Sequence, residues 1–142
     1  MPPVMRRARR FATTDGMGLL IIGAASIGRG ISYSPPVMDP HTKASHVAES
    51  WATMDVWAIV WISIGLLCVG SAFAWRSRGA AVAVGLAVGI HALWAASFLW
   101  GTLAGDSPRG YVSALSYGLI AVLALWAFGR GSREDGEGVP DA

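Results

Sequence analysis

Charge is what this sequence has least of. Only 14% of its 142 residues are charged, against 54% that are hydrophobic, and the mean hydropathy is +0.48. That leaves too little polar sequence to clothe a separate soluble domain. The net charge is only +2 and the basic residues gather at the edges of apolar runs, so no basic surface for nucleic acid is expected. The single cysteine, Cys68, lies within an apolar run, which excludes an intrachain disulfide and a cysteine metal framework. A nucleophile elbow, a phosphate-binding loop, an HExxH motif and a pair of catalytic carboxylates are all missing. The sequence therefore points away from an enzyme, and neither a cofactor nor a metal is expected.

What the chain does have is long charge-free runs. Residues 79–104 hold no Asp, Glu, Lys or Arg, and as a helix rising about 1.5 Å per residue they exceed the ~30 Å hydrocarbon core of a bilayer. Three further runs make an all-α integral membrane four-helix bundle, with spans at about 16–33, 55–75, 79–104 and 108–128. A basic segment over 1–15 precedes the bundle and a tail over 129–142, charged and Gly-rich, is expected to be disordered. The N-terminal arginines resemble the charged region of a signal peptide, with Ala24-Ala25-Ser26 as a small-residue cleavage site. Three more spans follow, however, and we read the first as an uncleaved span. Pro35, Pro36 and Pro40 break the loop after it. Beyond them Ala44, Val47, Ala48 and Trp51 share one helical face, with Lys43, His46 and Glu49 elsewhere, which reads as a short interfacial helix. Asp106 or Ser107 is placed to cap a helix opening on Pro108, with Gly129 as its stop.

Orientation follows from basic residues. Arg6, Arg7, Arg9, Arg10, Arg76, Arg78, Arg130 and Arg133 fall on one side, and only Arg29, Lys43 and Arg109 on the other. By the positive-inside rule both termini are cytoplasmic, in the cytoplasmic membrane. Trp51, Trp57 and Trp100 at one set of helix ends, with Trp75 and Trp126 at the other, fit an aromatic belt.

Several residues are candidates for more than lipid contact. Gly85, Gly89, Ala92 and Ala96 form a small-residue strip suited to close helix packing and to a homo-oligomer. His91 is an ionisable group near the middle of its span, whose simplest role is to tie helices together. Arg29, Asp55, Asp106 and Arg109 are expected near one interface, where opposite charges pair into a rim that fixes helix register. Ser113, Ser116 and Tyr117 extend that polar character along the fourth span and are expected to turn inward. Asp39, His41, His46 and Glu49 lack metal-ligand spacing and read as solvated loop residues.

The stretch GRGISYSPP over 28–36, the pair Trp57 and Trp61, and WGTLAGDSPRGYVSALSYGLIAVL over 100–123 are similar to small four-span membrane proteins of actinobacterial phages and prophages. Ten arginines against one lysine, with no Asn or Gln, also suit a GC-rich genome. The resemblance implies a holin-like protein that oligomerises in the cytoplasmic membrane and permeabilises it, and it carries over no functional residue. Two other readings stand beside it: a small proton-coupled transporter using His91, and an accessory or structural membrane protein without chemistry of its own.

Overall fold

The computed structural model describes residues 15–35, 37–38, 43–74 and 77–134, excepting the side chains of Asp15 and of 130–134. The segment before residue 15, Asp39, His41, Trp75, Arg76 and the tail beyond 134 lie outside the described residues. Four helices account for most of the remainder: α1 (Asp15–Tyr33), α2 (Met54–Ala72), α3 (Arg78–Leu103) and α4 (Gly110–Glu134). A single 3-10 turn, Val47–Trp51, interrupts the connection between α1 and α2. Each helix is long and apolar enough to cross a membrane, and the chain is an all-α, multi-pass membrane four-helix bundle.

Helix ends follow local chemistry. Asp55 sits in the first turn of α2, at the positive end of the helix dipole. That helix stops at Ala72, earlier than the expected 75, because Phe73 and Ala74 both turn their N–H groups back to the Ser71 carbonyl. Ser77 then caps α3, its hydroxyl accepting the Ala80 N–H at 3.2 Å. Beyond Leu103 the chain reverses at Gly105, whose φ of +82° is the one positive value among the described residues. The N–H groups of Asp106 and Ser107 both bond the Gly101 carbonyl. Pro108 and Arg109 form part of this turn, so α4 starts at Gly110 and not at Pro108; the Gly110 N–H bonds the Ser107 carbonyl at 2.9 Å. Nor does Gly129 stop α4, which continues to Glu134. With no proline following it, a glycine at that position costs only about 1 kcal/mol of helix propensity.

The helices pack as two close pairs, α1 along α2 and α3 along α4, joined chiefly through α2 and α3. Glycine sets the first pair. A Cβ on Gly23 would lie 2.8 Å from the Gly65 carbonyl oxygen, one on Gly65 would lie 2.7 Å from that of Gly23, and one on Gly30 would lie 2.9 Å from that of Ala58. At such distances only a bare Cα allows the backbones to meet. The strip read from the sequence lies elsewhere: Gly85, Gly89, Ala92 and Ala96 are all exposed, and a Cβ on Gly85 or Gly89 would meet nothing within 4 Å. The glycine part of that face is open, while Ala96 lies beside Val47, Ala48 and Trp51 of the 3-10 turn.

Two small cores result. At the end distant from the 3-10 turn, Leu19, Ile22, Cys68, Ala72, Ala80, Ala83 and Ala87 interlock. At the other end the side chains are large, with Tyr33, Met54, Trp61, Ile90 and Trp94 packed around Ala48. Outward, α4 presents Leu115, Leu119, Val122, Leu123 and Trp126, each more than half exposed. Such a face suits the apolar interior of a membrane.

Candidate functional site: a buried charged junction and the cleft beside it

The loop after α1 cannot continue as helix through Pro35-Pro36, and it turns back at once: the N–H groups of Val37 and Met38 both bond the Ser34 carbonyl. The 3-10 turn that follows is laid across the end of the bundle with Glu49 inward and Ser50 outward. His46, Ala48 and Glu49 are buried, while Ala44, Val47 and Trp51 face out. Of the expected apolar face only Ala48 turns inward, and the burial of His46 and Glu49 corrects their reading as solvated loop residues. The physical reason is hydrogen bonding, since every donor that Glu49 needs is supplied by the bundle and by the turn itself.

Glu49 is 4% exposed. Its Oε2 accepts from the Ser45 N–H and from the Ser45 hydroxyl, each at 2.7 Å. Its Oε1 accepts a short hydrogen bond from the Tyr33 hydroxyl. The same Tyr33 oxygen accepts from Arg29 Nη2 at 2.6 Å and from Trp94 Nε1 at 3.2 Å. Arg29 Nη2 stands 3.9 Å from Glu49 Oε1, and the guanidinium lies over the Tyr33 ring at 4.5 Å and the Tyr117 ring at 5.7 Å. On the other side of the carboxylate, His46 Nε2 is 3.3 Å from Oε1 but outside hydrogen-bond geometry. His46 Nδ1 lies 2.9 Å from the Ser97 hydroxyl, which also accepts the Ala48 N–H at 2.8 Å. Ser97 therefore ties α3 to the turn. Burial alone would raise the Glu49 carboxyl, but the approach of His46 and the bonds from Tyr33 and Ser45 outweigh it and hold it at about 2. The group is a carboxylate at neutral pH.

Arg29 is directed at Tyr33, and more distantly at Glu49 of the turn, and not at Asp55, Asp106 or Arg109. Those three are exposed, and among the described residues none of them forms an ion pair. The expected charge-paired rim is replaced by an internal junction. Glu49 lies beyond a proline-rich loop, and its i,i+3 relation to His46 was the one local sign of it in the sequence.

Below the junction, rings carry the packing. Trp94 meets His46 edge-on at 5.3 Å, Trp57 at 4.6 Å and Trp61 at 5.2 Å. Trp61 in turn meets His91 edge-on at 5.1 Å. His91 is buried, donates from Nδ1 to the Ala87 carbonyl of its own helix at 2.7 Å, and has Tyr117 as a second ring neighbour at 5.9 Å. Through these rings it joins α3 to α2 and α4, by packing and not by an interhelical hydrogen bond.

A cleft of about 450 Å³ opens between α1 and α4, lined by Arg29, Ser32, Trp61, His91, Ser113 and Tyr117 among others. The polar stripe of the fourth span thus faces this cleft, although Ser116 is exposed and its hydroxyl bonds its own helix at Val112. No cluster of three metal-ligating side chains occurs among the described residues. Comparison with known proteins returns no matching family, curated protein or solved structure. The fold and the junction define the class: a four-helix, multi-pass membrane protein whose first loop is folded into one end of the bundle.

Proposed function

We propose that the protein is holin-like, associating with copies of itself in the cytoplasmic membrane and permeabilising it. The observation that carries this reading is the exposed small-residue face of α3. Gly85, Gly89, Ala92 and Ala96 are exposed, and a Cβ on Gly85 or Gly89 would meet nothing within 4 Å. Between helices in lipid there is no hydrophobic driving force, and a small-residue face gains its contacts only where another backbone comes close. The resemblance of residues 28–36 and 100–123 to four-span phage and prophage proteins supports the same reading, as does their GC-rich amino-acid usage. The arginine distribution gives this assembly an orientation with both termini in the cytoplasm.

Expression in a bacterium loaded with a potential-sensitive dye tests it. The membrane potential should collapse abruptly and a co-expressed endolysin should be released. The Gly85→Leu/Gly89→Leu double variant should insert normally but fail to do either.

The placement of His91 on the cleft favours a second reading, a small proton-coupled transporter. His91→Leu separates the two, since a lesion needs no proton-exchanging side chain and a relay does.

A further inference from the structure

The cleft between α1 and α4 has a direction. Along α1, from the loop end inward, its wall runs Ser32, Arg29, Gly28, Ala25; along α4 it runs Ser113, Tyr117, Ile120. Ser32, Arg29 and Ser113 stand near the loop end, with Val112 beside them. Ala25 and Ile120 lie about 10 Å deeper, at a helical rise of about 1.5 Å per residue, while Trp61 and His91 also line the cleft. Its volume, about 450 Å³, suits part of an amphipathic ligand. It lies between two membrane-crossing helices that touch each other little.

Arg29 is the one charged side chain on its lining, and no carboxylate shares the wall. The guanidinium is incompletely paired. Nη2 bonds Tyr33, Nε is buried without an acceptor, and about a third of the side chain, 32%, remains exposed. Glu49 does not complete it, because that carboxylate stands 3.9 Å away and already accepts from Tyr33 and Ser45. An arginine within a membrane span is costly until its forked donors meet an anion, and a phosphodiester matches that fork. Beside it, Gly28 leaves the wall open: a Cβ there would meet nothing within 4 Å.

We propose that this cleft holds one phospholipid from the leaflet at the loop end of the bundle, its phosphodiester against Arg29 and its acyl chain along Gly28, Ala25 and Ile120. The site is formed within one protomer and does not depend on self-association.

The full chain, purified in detergent and offered equimolar phosphatidylglycerol and dioleoylglycerol, tests this by native mass spectrometry. One phosphatidylglycerol per protomer should be retained, with a preference of about tenfold or more over the phosphate-free lipid. Gly28→Leu fills the cleft without touching the junction, and Arg29→Gln removes the charge; each should abolish the preference. Ser50→Ala, on the exposed side of the 3-10 turn, should keep it. Should Arg29→Gln fail to fold, Gly28→Leu still decides. Equal retention of the two lipids, or an unchanged preference in Gly28→Leu, would overturn the proposal. Displacement of the lipid by inorganic phosphate would overturn it as well, assigning the cleft to a soluble anion.

Discussion

At the scale of residues, one hydroxyl joins three segments of the chain. The Tyr33 oxygen donates to Glu49 in the 3-10 turn and accepts from Arg29 on α1 and Trp94 on α3. Tyr33→Phe keeps the ring but leaves those groups short of a partner, at a cost of about 1–3 kcal/mol. Cys68, the only cysteine and fully buried, reports the loss. Its labelling by a thiol-reactive dye in detergent should begin at a lower temperature in the variant. The junction also sets a pH dependence. Folding lowers the Glu49 carboxyl from 4.5 to about 2, so the folded state binds its proton less readily than the unfolded chain. The stabilisation, about 3 kcal/mol, is complete above the unfolded value and is lost as pH falls from about 4.5 towards 2. Tryptophan fluorescence should show a transition in that window which Glu49→Gln lacks. Little of this junction was legible beforehand. The hydropathy of residues 43–51 shows that the segment is amphipathic, but not which face turns inward. That depends on Tyr33, Trp94 and Ser97 from distant elements, which supply the hydrogen bonds that make burial of a carboxylate tolerable.

At the scale of elements, the spans themselves were readable, because a run without charges as long as 79–104 has only one stable arrangement in a bilayer. The pairing of helices was less so. Small residues recur on α1, α2 and α3 alike, and spacing alone does not say which strip meets a partner. The close contact in the monomer is Gly23 and Gly30 against Gly65 and Ala58, set by the crossing of α1 over α2. Gly65→Ala places a methyl 2.7 Å from a backbone oxygen, which cannot move aside as a flexible side chain would. It should cost about 1–3 kcal/mol and lower the temperature of Cys68 labelling. Gly85→Ala, in open space, should leave that temperature unchanged or raise it slightly, since alanine is the better helix former. Equal effects at the two positions would contradict the pairing of α1 with α2.

At the scale of the whole molecule, orientation and assembly decide function. The positive-inside reading of the arginine counts predicts Ser34 and Gly105 outside and Ser77 and Ser132 in the cytoplasm. Single cysteines at these sites in a Cys68→Ala background, labelled in intact cells with an impermeant thiol reagent, should react only at the first two. Labelling at position 77 before lysis would reverse the topology. The chain forms two closely packed helix pairs, α1 with α2 and α3 with α4, with the 3-10 turn laid against α3. On the holin-like reading we propose, copies meet across their exposed faces, with α3 contributing Gly85 and Gly89. The most direct measurement is release of an entrapped dye from vesicles into which the purified protein is reconstituted at increasing density. The account predicts release that rises more steeply than in proportion to the protein and that is lost in Gly85→Leu/Gly89→Leu, with insertion and Cys68 protection unchanged. Tight vesicles at every density, or identical release by the double variant, would contradict it.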